Sequence, residues 1–235
     1  MTEAVAIVLA AGEGERLGRG PKAFLDVGGR SILSMAIAAA ASCPEVDEIV
    51  VAVPEGFEDH VADLVPATVS KSVRAVTGGR NRQESVRLAL ESVPADLPVI
   101  VCHDAARPFA APELFSAVIV ALADGDGAVP VLPLFDTVKQ VRDGYIESTL
   151  SREELRAAQT PQAFAAPALR EAHARAAATG VRCTDDAGLL EWAGYRVRAV
   201  PGEPVNFKIT MAEDLARAER YVLDSMPPVA PTPGA

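Results

Sequence analysis

Residues 5–22 read VAIVLAAGEGERLGRGPK, and this stretch decides the class of fold. Its first part, residues 5–10, is a short apolar run that stops before Gly12, which is typical of a strand buried on both faces of a sheet. A polar, glycine-rich loop continues to Pro21, and Ser31 is then a good N-cap for an apolar helix. A strand, a glycine-rich loop and a helix in this order indicate an α/β protein.

The same alternation continues along the chain. Further buried strands are expected at 49–53, 73–76, 99–102 and 128–134, with helices at 82–92 and 113–123 between them. Strands that alternate with helices predict a mostly parallel, Rossmann-like sheet flanked by helices. Later elements are expected at 167–178, 185–193 and 211–225 (helices) and at 195–200 (a strand).

A break in this rhythm predicts a protruding arm. Residues 138–142 and 145–150 flank the pair Asp143-Gly144, which is a two-residue hairpin signal. A lone hairpin is marginally stable in water, so we expect an arm over about 136–152 that a second copy of the chain supports. Residues 1–225 are expected to form a single domain, and the proline-rich segment 226–235 is expected to be a disordered tail.

Composition excludes several classes of protein. The chain has 235 residues, 49% of them hydrophobic, which is ordinary for a globular protein. Its net charge is −10 and it has no long basic run, which disfavours DNA or RNA as a partner. The longest uncharged stretch, 31–44, is shorter than the roughly 18 residues of a membrane span, and no basic residues precede the first apolar run. We therefore expect neither a membrane segment nor a signal peptide.

The cysteines and histidines indicate neither a disulfide framework nor a metal site. Cys43, Cys102 and Cys183 are far apart and odd in number, and the three histidines are scattered. The plain interpretation is three reduced thiols in a cytoplasmic protein.

The loop after the first strand carries the chemistry. Glycines let a backbone approach a ligand closely and direct its N–H groups at phosphate oxygens. Arg16, Arg19 and Lys22 place three cations in one loop of an acidic chain, which favours a polyanionic ligand. The loop matches neither the dinucleotide pattern G-x-G-x-x-G in register nor the P-loop pattern. The alternative is a flexible, solvated loop with no ligand.

The full string resembles the nucleotidyltransferase signature L-A-A-G-x-G-x-R-L followed by P-K. Five further segments narrow the resemblance: GGRNRQESV at 78–86, HDAARP at 103–108, TPQ at 160–162, TDD at 184–186 and NFKIT at 206–210. Together these segments resemble the 2-C-methyl-D-erythritol 4-phosphate cytidylyltransferase family. The resemblance implies an enzyme of isoprenoid biosynthesis that transfers the CMP moiety of CTP to methylerythritol phosphate and releases pyrophosphate.

The resemblance also implies site residues, carried over one position at a time. The residues implied to bind CTP are Ala10, Ala11, Gly12, Gly79, Arg82 and Ser85. Those implied to bind methylerythritol phosphate are Asp104, Arg107, Thr137, Thr160 and Thr184. The catalytic cations are implied to be Arg16, Lys22, Arg152 and Lys208.

The family further implies Mg²⁺ bound mainly through the CTP phosphates, with no dedicated protein ligands, and a homodimer formed through the arm. Thr137 and Arg152 lie on that arm, so they would reach the neighbouring subunit. Arg80 departs from the family pattern, because several members carry an acid at this position.

Alternatives stay open from the residues alone. A ribitol 5-phosphate cytidylyltransferase shares the loop and the chemistry, although Ala106 favours methylerythritol phosphate. A non-catalytic nucleotide-binding module would explain the loop but not the other polar segments. Single residues also have structural interpretations. We expect His103 to be structural, His173 to be on the surface, Trp192 to be in the core and Lys208 to project from a half-buried strand.

Overall fold

A computed structural model describes residues 3–12 and 20–225 of the chain. The strands, in chain order, are β1 (Ala4–Leu9), β2 (Asp26–Val27), β3 (Arg30–Ser31), β4 (Val46–Val53), β5 (Ser72–Thr77), β6 (Val99–Asp104), β7 (Gly127–Pro133), β8 (Lys139–Arg142), β9 (Tyr145–Thr149), β10 (Arg156–Ala158), β11 (Gln162–Ala165) and β12 (Val197–Pro201). The helices are α1 (Ile32–Ser42), α2 (His60–Leu64), α3 (Arg82–Ser92), α4 (Pro112–Val120), α5 (Ala166–Thr179), α6 (Asp186–Ala193) and α7 (Ala212–Ser225).

The main sheet is mixed and mostly parallel, which confirms the predicted fold class. Its order within the described residues is β10-β7-β11-β6-β1-β4-β5, and β12 pairs in parallel with β7. The pairs of β1 with β4 and β6, and of β4 with β5, are parallel. The short strands β10 and β11 run antiparallel to their neighbours and were not predicted from the sequence.

Side-chain alternation along the buried strands builds two apolar layers. In β1, Ala6 and Val8 pack on the face covered by α1 and α4, whereas Val5 and Ile7 pack on the face covered by α3, α5 and α6. Strand β6 repeats this pattern. Because successive side chains of a strand point to opposite faces, an uninterrupted apolar run is what two covered faces require.

The topology places two loops at the same edge of the sheet. Strands β1 and β6 are parallel neighbours, with Leu9 opposite Asp104 at their carboxyl ends. The chain leaves β1 towards β4 on one side and enters β6 on the other, so the strand order reverses at β1. Open α/β sheets bind ligands at such a switch point.

The predicted arm is confirmed as a separate two-stranded sheet of β8 and β9. Asp143 and Gly144 both have positive φ, 50° and 82°, as a type I′ hairpin turn requires. Apolar side chains on and beside the arm are exposed: Phe135 (81%), Val141 (57%), Tyr145 (80%) and Ile146 (64%).

A third apolar cluster packs the last helix, α7, against the start of α1 and the segment that precedes α7. Leu215 and Ala218 of α7 pack with Ile209 and with Ile32 at the start of α1. The amphipathic helix thus covers the chain segment that precedes it. In the parts of the chain that the structure describes, no helix has both the length and the apolar character that a bilayer crossing needs.

One core prediction is wrong. Trp192 is 38% exposed, and Arg175 of the preceding helix lies over its ring at 5.3 Å from the centroid. The Leu189 and Leu190 side chains of the same helix are fully buried instead. The indole therefore lies at the rim of the helix contact, where Arg175 covers it by a cation–π interaction.

Candidate active site

A cavity of about 530 Å³ opens at the carboxyl ends of β1 and β6. Its wall combines backbone from the loop after β1, the start of α3 and the loop after β6. Predicted site residues that line it are Ala10, Ala11, Gly12, Lys22, Gly79, Arg82, Ser85, Asp104 and Lys208. Four segments that are far apart in sequence therefore meet at one place, as the parallel topology requires.

Asp104 is the charged centre of the cavity. Its Oδ1 accepts a hydrogen bond from Arg82 Nε at 2.9 Å, and its Oδ2 accepts one from Lys208 Nζ at 2.7 Å. Burial raises the pKa of Asp104, but Arg82 and Lys208 lower it by more, so the net shift is well below the ordinary value. Asp104 is therefore an ionised acceptor at neutral pH, with lone pairs left for a ligand.

Lys22 and Lys208 are held by one segment of chain. Lys22 begins a 3-10 turn after Pro21, and its Nζ donates to the Ile209 carbonyl at 2.8 Å. The Ile209 amide in turn donates to the Ala106 carbonyl at 2.8 Å, which fastens this segment to the loop after β6. The two ammonium groups thus converge on the cavity from adjacent residues of the same support.

The strand predicted around Lys208 is wrong. Residues 206–210 form no strand, although Ile209 is buried and Lys208 is exposed, as the alternating pattern suggested. The segment hydrogen-bonds to the loop after β6 and packs under α7 instead of pairing in the sheet. The alternating sequence pattern therefore predicted which side chains are buried, although the segment makes no strand-to-strand backbone hydrogen bonds.

The glycine pair between β5 and α3 allows neighbouring parts of the cavity wall to lie very close to the backbone. A Cβ on Gly78 would overlap the side chain of Ala11, and a Cβ on Gly79 would overlap Glu84. The Gly79 amide donates to Ser85 Oγ at 3.0 Å, and Asn81 caps the helix by accepting from the Glu84 amide at 2.9 Å. The wall facing the loop after β1 is therefore small, rigid and rich in backbone polar groups.

Arg80, which departs from the family pattern, also lines this wall. Its Nε donates to Glu84 Oε2 at 3.1 Å, and the arginine side chain is 90% exposed. The guanidinium therefore sits at the rim of the cavity, where solvent screens its charge.

Thr160 and His103 form a buried support behind Asp104. Thr160 Oγ1 accepts from the Asp104 amide at 2.9 Å and lies 3.2 Å from His103 Nδ1, while His103 Nε2 lies 3.1 Å from the Arg107 carbonyl. Burial lowers the pKa of His103 to about 4, so the ring is neutral at pH 7. A neutral ring that donates from Nε2 and accepts at Nδ1 satisfies both contacts, which agrees with the structural role expected for His103.

Arg107 is engaged by backbone carbonyls. Its Nη1 donates to the Asn206 carbonyl at 2.8 Å and its Nη2 to the Ala158 carbonyl at 3.3 Å. Burial lowers the pKa of Arg107 from its ordinary value, although Asp104 opposes the shift. Asp104 forms its ion pairs with Arg82 and Lys208.

Three other predicted residues lie away from the cavity, and one is outside the described residues. Thr184 is exposed before α6, where Asp185 is the N-cap. Thr137 and Arg152 are exposed at the base of the arm, and Arg152 Nη1 donates to the Phe135 carbonyl. Arg16 falls in the segment 13–19, outside the described residues.

Two buried residues behind the cavity were missed or misplaced from the sequence. Asp186, at the start of α6, accepts a hydrogen bond from Arg82 Nη1 at 2.7 Å. His173, expected on the surface, is 3% exposed and its Nε2 lies 3.2 Å from Asp186 Oδ1. Their positions depend on how α5 and α6 pack against α3, and a local sequence pattern cannot predict this packing.

Protein ligands for a metal are scarce. Among residues 3–12 and 20–225, no cluster of three or more His, Cys, Asp or Glu side chains could hold a metal ion. Asp104 lines the cavity, but both of its oxygens already accept bonds from cations. These residues suit a metal ion that is coordinated mainly by the phosphates of a bound ligand.

A parallel sheet with a glycine-walled, cation-lined cavity at its switch point is typical of α/β proteins that bind nucleoside phosphates. Comparison with known proteins narrows this class. Residues 4–224 match the family model described as IspD: 2-C-methyl-D-erythritol 4-phosphate cytidylyltransferase.

Relatives of known name agree with that match. The chain is 46% identical to a 2-C-methyl-D-erythritol 4-phosphate cytidylyltransferase of Deinococcus radiodurans, over 91% of this chain and 87% of the relative. It is 47% identical to one of Saccharopolyspora erythraea, over 92% and 97%.

Solved structures give the same result. The 4-diphosphocytidyl-2C-methyl-D-erythritol synthase of Anaerococcus prevotii superposes with a TM-score of 0.85 at 30% identity, covering 94% of this chain and 96% of its own. The cytidylyltransferase of Thermus thermophilus superposes with a TM-score of 0.76 at 38% identity, covering 92% and 98%. The chain belongs to the 2-C-methyl-D-erythritol 4-phosphate cytidylyltransferase family of isoprenoid biosynthesis, and the ribitol alternative is not favoured.

Proposed function

We propose that this chain joins CTP and methylerythritol phosphate in the cavity between β1 and β6. The observation that carries the proposal is the pairing of Arg82 and Lys208 with the ionised carboxylate of Asp104, in a cavity that Lys22 and a wall of small residues also line. Nucleotidyltransferases are enzymes that must bring two anions together, and a cavity with this charge pattern reduces their repulsion.

The nucleotide takes the glycine-walled side. The backbone of Ala10, Ala11 and Gly12, together with Gly79 and Ser85, offers polar groups to the cytosine and ribose. Lys22, together with Arg16, meets the triphosphate and stabilises charge at the attacked phosphorus. The presence of Lys22 and Gly12 in the lining of the same cavity supports this assignment.

The sugar-alcohol phosphate takes the side of Asp104. The carboxylate accepts hydrogen bonds from substrate hydroxyls, and Lys208 directs the phosphate towards the nucleotide. Thr160 contributes by fixing the Asp104 backbone, since this threonine is 4% exposed and its hydroxyl is already bonded there. Arg107 and Thr184 do not line the cavity in one chain and remain proposed contacts of this substrate.

The transfer step needs no general base. An oxygen of the methylerythritol phosphate forms a bond to the α-phosphorus of CTP, the bond from that phosphorus to the bridging oxygen breaks, and pyrophosphate leaves. A phosphate monoester has a second pKa near roughly 6, so it is largely a dianion at neutral pH and loses no proton in the step. Positioning and charge stabilisation by the chain's cations then lower the barrier.

Nucleotidyltransferases generally use a divalent metal, and we propose Mg²⁺ here. Magnesium keeps several waters and binds readily through substrate phosphates, which suits a cavity with the single engaged carboxylate Asp104 among its described lining residues. When bound, the ion supplies charge neutralisation along the triphosphate.

We also propose a homodimer in which the arm completes the partner's cavity. Within one chain, Thr137 and Arg152 do not line the cavity. The arm exposes Phe135, Tyr145 and Ile146, which a neighbouring subunit would cover. Residues 1–225 are proposed to act as one domain in the cytoplasm, where the three unpaired cysteines would stay reduced.

Pyrophosphate release tests the proposal. Purified protein is incubated with CTP and Mg²⁺, together with methylerythritol phosphate, with ribitol 5-phosphate or with no second substrate. We expect release only with methylerythritol phosphate, and an Asp104→Asn protein prepared in parallel should release far less. Equal release without a second substrate, or preference for ribitol 5-phosphate, would contradict the assignment.

A further inference from the structure

A chain of buried, hydrogen-bonded polar side chains runs from behind the cavity to its centre. His173 Nε2 lies 3.2 Å from Asp186 Oδ1, and Asp186 Oδ2 accepts from Arg82 Nη1 at 2.7 Å. Arg82 then donates through Nε to Asp104 Oδ1 at 2.9 Å. The chain therefore links a histidine of α5 to the carboxylate that faces the substrate.

Asp186 is a rigid anchor. It lies in the first turn of α6, where Asp185 Oδ1 accepts from the Gly188 amide at 2.9 Å. Gln162 of β11 donates to Asp185 Oδ2 at 2.9 Å and accepts from the Ala187 amide at 3.3 Å. The backbone on both sides of Asp186 is thus tied to the sheet, and its side chain is 1% exposed.

Arg82 has two carboxylate anchors and faces the cavity. Burial lowers the pKa of Arg82, but Asp186 and Asp104 raise it by more, so the guanidinium is charged at every physiological pH. Burial likewise raises the pKa of Asp186, and Arg82 with His173 outweighs it. Within the described residues, Arg82 Nη2 is buried without a hydrogen-bond partner, so Nε and Nη1 alone fix the plane of the group.

A purely structural role for Asp186 and His173 would explain why they are buried, but not why their hydrogen bonds lead to Asp104 in the cavity. Buried ion pairs add little net stability compared with apolar residues of similar volume. Removal of Asp186 would leave Arg82 with Asp104 as its remaining carboxylate partner, free to rotate about one bond. The orientation of Asp104 towards a ligand then depends on Lys208 and on an Arg82 side chain that is held at one end only.

We propose that Asp186 and His173 are positioning residues for cytidylyl transfer, which hold Arg82 so that Asp104 presents its oxygens to the hydroxyls of the sugar-alcohol phosphate. The inference rests on the function proposed above. Asp186 and His173 touch neither substrate; they act through Arg82.

A double-mutant cycle separates positioning from stability. Asp186→Asn keeps the size of the side chain and removes its charge, and we expect it to lower kcat/KM for methylerythritol phosphate by about tenfold or more, the size of the effect that loss of an outer partner has at metal sites. In an Asp104→Asn background the same change should cost no more than about twofold, because its target is already lost.

Two further variants keep the test sharp. His173→Gln retains a donor near the position of Nε2 and should keep most of the activity, whereas His173→Leu should behave like Asp186→Asn. Leu169→Ala is the matched control, because Leu169 is fully buried on the same helix α5 but lies outside the chain of hydrogen bonds. It should lower the melting temperature and leave KM for methylerythritol phosphate unchanged below that temperature.

The outcomes distinguish this inference from the proposed function. A wild type without methylerythritol-dependent pyrophosphate release overturns the function itself. An active wild type in which Asp186→Asn costs the same factor in both backgrounds, or in which Leu169→Ala raises KM equally, overturns the positioning role alone. If Asp186→Asn does not fold, the cycle is run with His173→Leu and judged by the same criterion.

Discussion

Replacing Lys208 by methionine removes a cation from the substrate side of the cavity and keeps most of the side-chain volume. The ammonium lies 2.7 Å from Asp104 Oδ2, and its side chain is 42% exposed. Two unit charges 4 Å apart interact by about 1 kcal/mol in bulk water and about 4 kcal/mol at the effective dielectric constant near a protein surface. A dianionic phosphate doubles both figures.

The partial exposure of Lys208 and the neighbouring Asp104 place the loss in the lower half of that range. We expect about 2–4 kcal/mol of lost transition-state stabilisation, or a roughly 30- to 1000-fold fall in kcat/KM for methylerythritol phosphate. Asp104 keeps Arg82 as a partner, so it should stay ionised and the fold should persist.

Steady-state pyrophosphate release at varied methylerythritol phosphate and saturating CTP measures the effect. Lys208→Arg is the matched variant because it retains the charge, and it should recover part of the activity. Circular dichroism melts of both proteins check folding. If Lys208→Met stays within about threefold of wild type, the cation does not guide the phosphate and the electrostatic reasoning fails.

Lys22, His103 and Arg152 give three further predictions. Lys22→Ala should lower kcat by roughly 10²–10³, as loss of one preorganised charge-stabilising group does elsewhere, and activity within a few-fold of wild type in a pyrophosphate assay would refute its assigned role. The pKa of His103 is about 4 in the fold against an ordinary 6.5, so the unfolded chain binds a proton first as pH falls. The free energy of unfolding should therefore drop by on the order of 3 kcal/mol between pH 6.5 and 4. In His103→Gln, the free energy of unfolding from urea titrations should depend less on pH over this range. Mixing Arg152→Ala with Lys22→Ala protein should restore activity through mixed dimers if the arm crosses between subunits, whereas no recovery after verified subunit exchange would argue against it.

Much of the frame could be predicted because it depends on local signals. The helix expected at 82–92 has those bounds, with Asn81 as its cap, and Ser31 caps α1 through a bond from the Ser34 amide at 3.0 Å. The hairpin at Asp143-Gly144 follows from the positive φ that its turn demands. In each case, a few neighbouring residues determine the backbone.

What could not be predicted depends on distant contacts. Strand β11 is four residues long and inserts antiparallel between β6 and β7, a pairing that no periodicity within residues 162–165 encodes. His173 was assigned to the surface because its partner, Asp186, comes from another helix.

The candidate site divides in the same way. The resemblance to the family implied that Lys22, Asp104 and Lys208 are site residues, and all three line one cavity in the structure. The partners that set the charge of Asp104 come from 22 and 104 residues away, so only the fold could reveal them.

A crystal structure of the protein with CTP, Mg²⁺ and methylerythritol phosphate would show whether the two anions meet between Lys22 and Asp104. We expect a triphosphate oxygen within about 3 Å of Lys22 Nζ and a substrate hydroxyl at a similar distance from an Asp104 carboxylate oxygen. A nucleotide bound elsewhere, or a Lys22 side chain that points into bulk solvent in that complex, would contradict it.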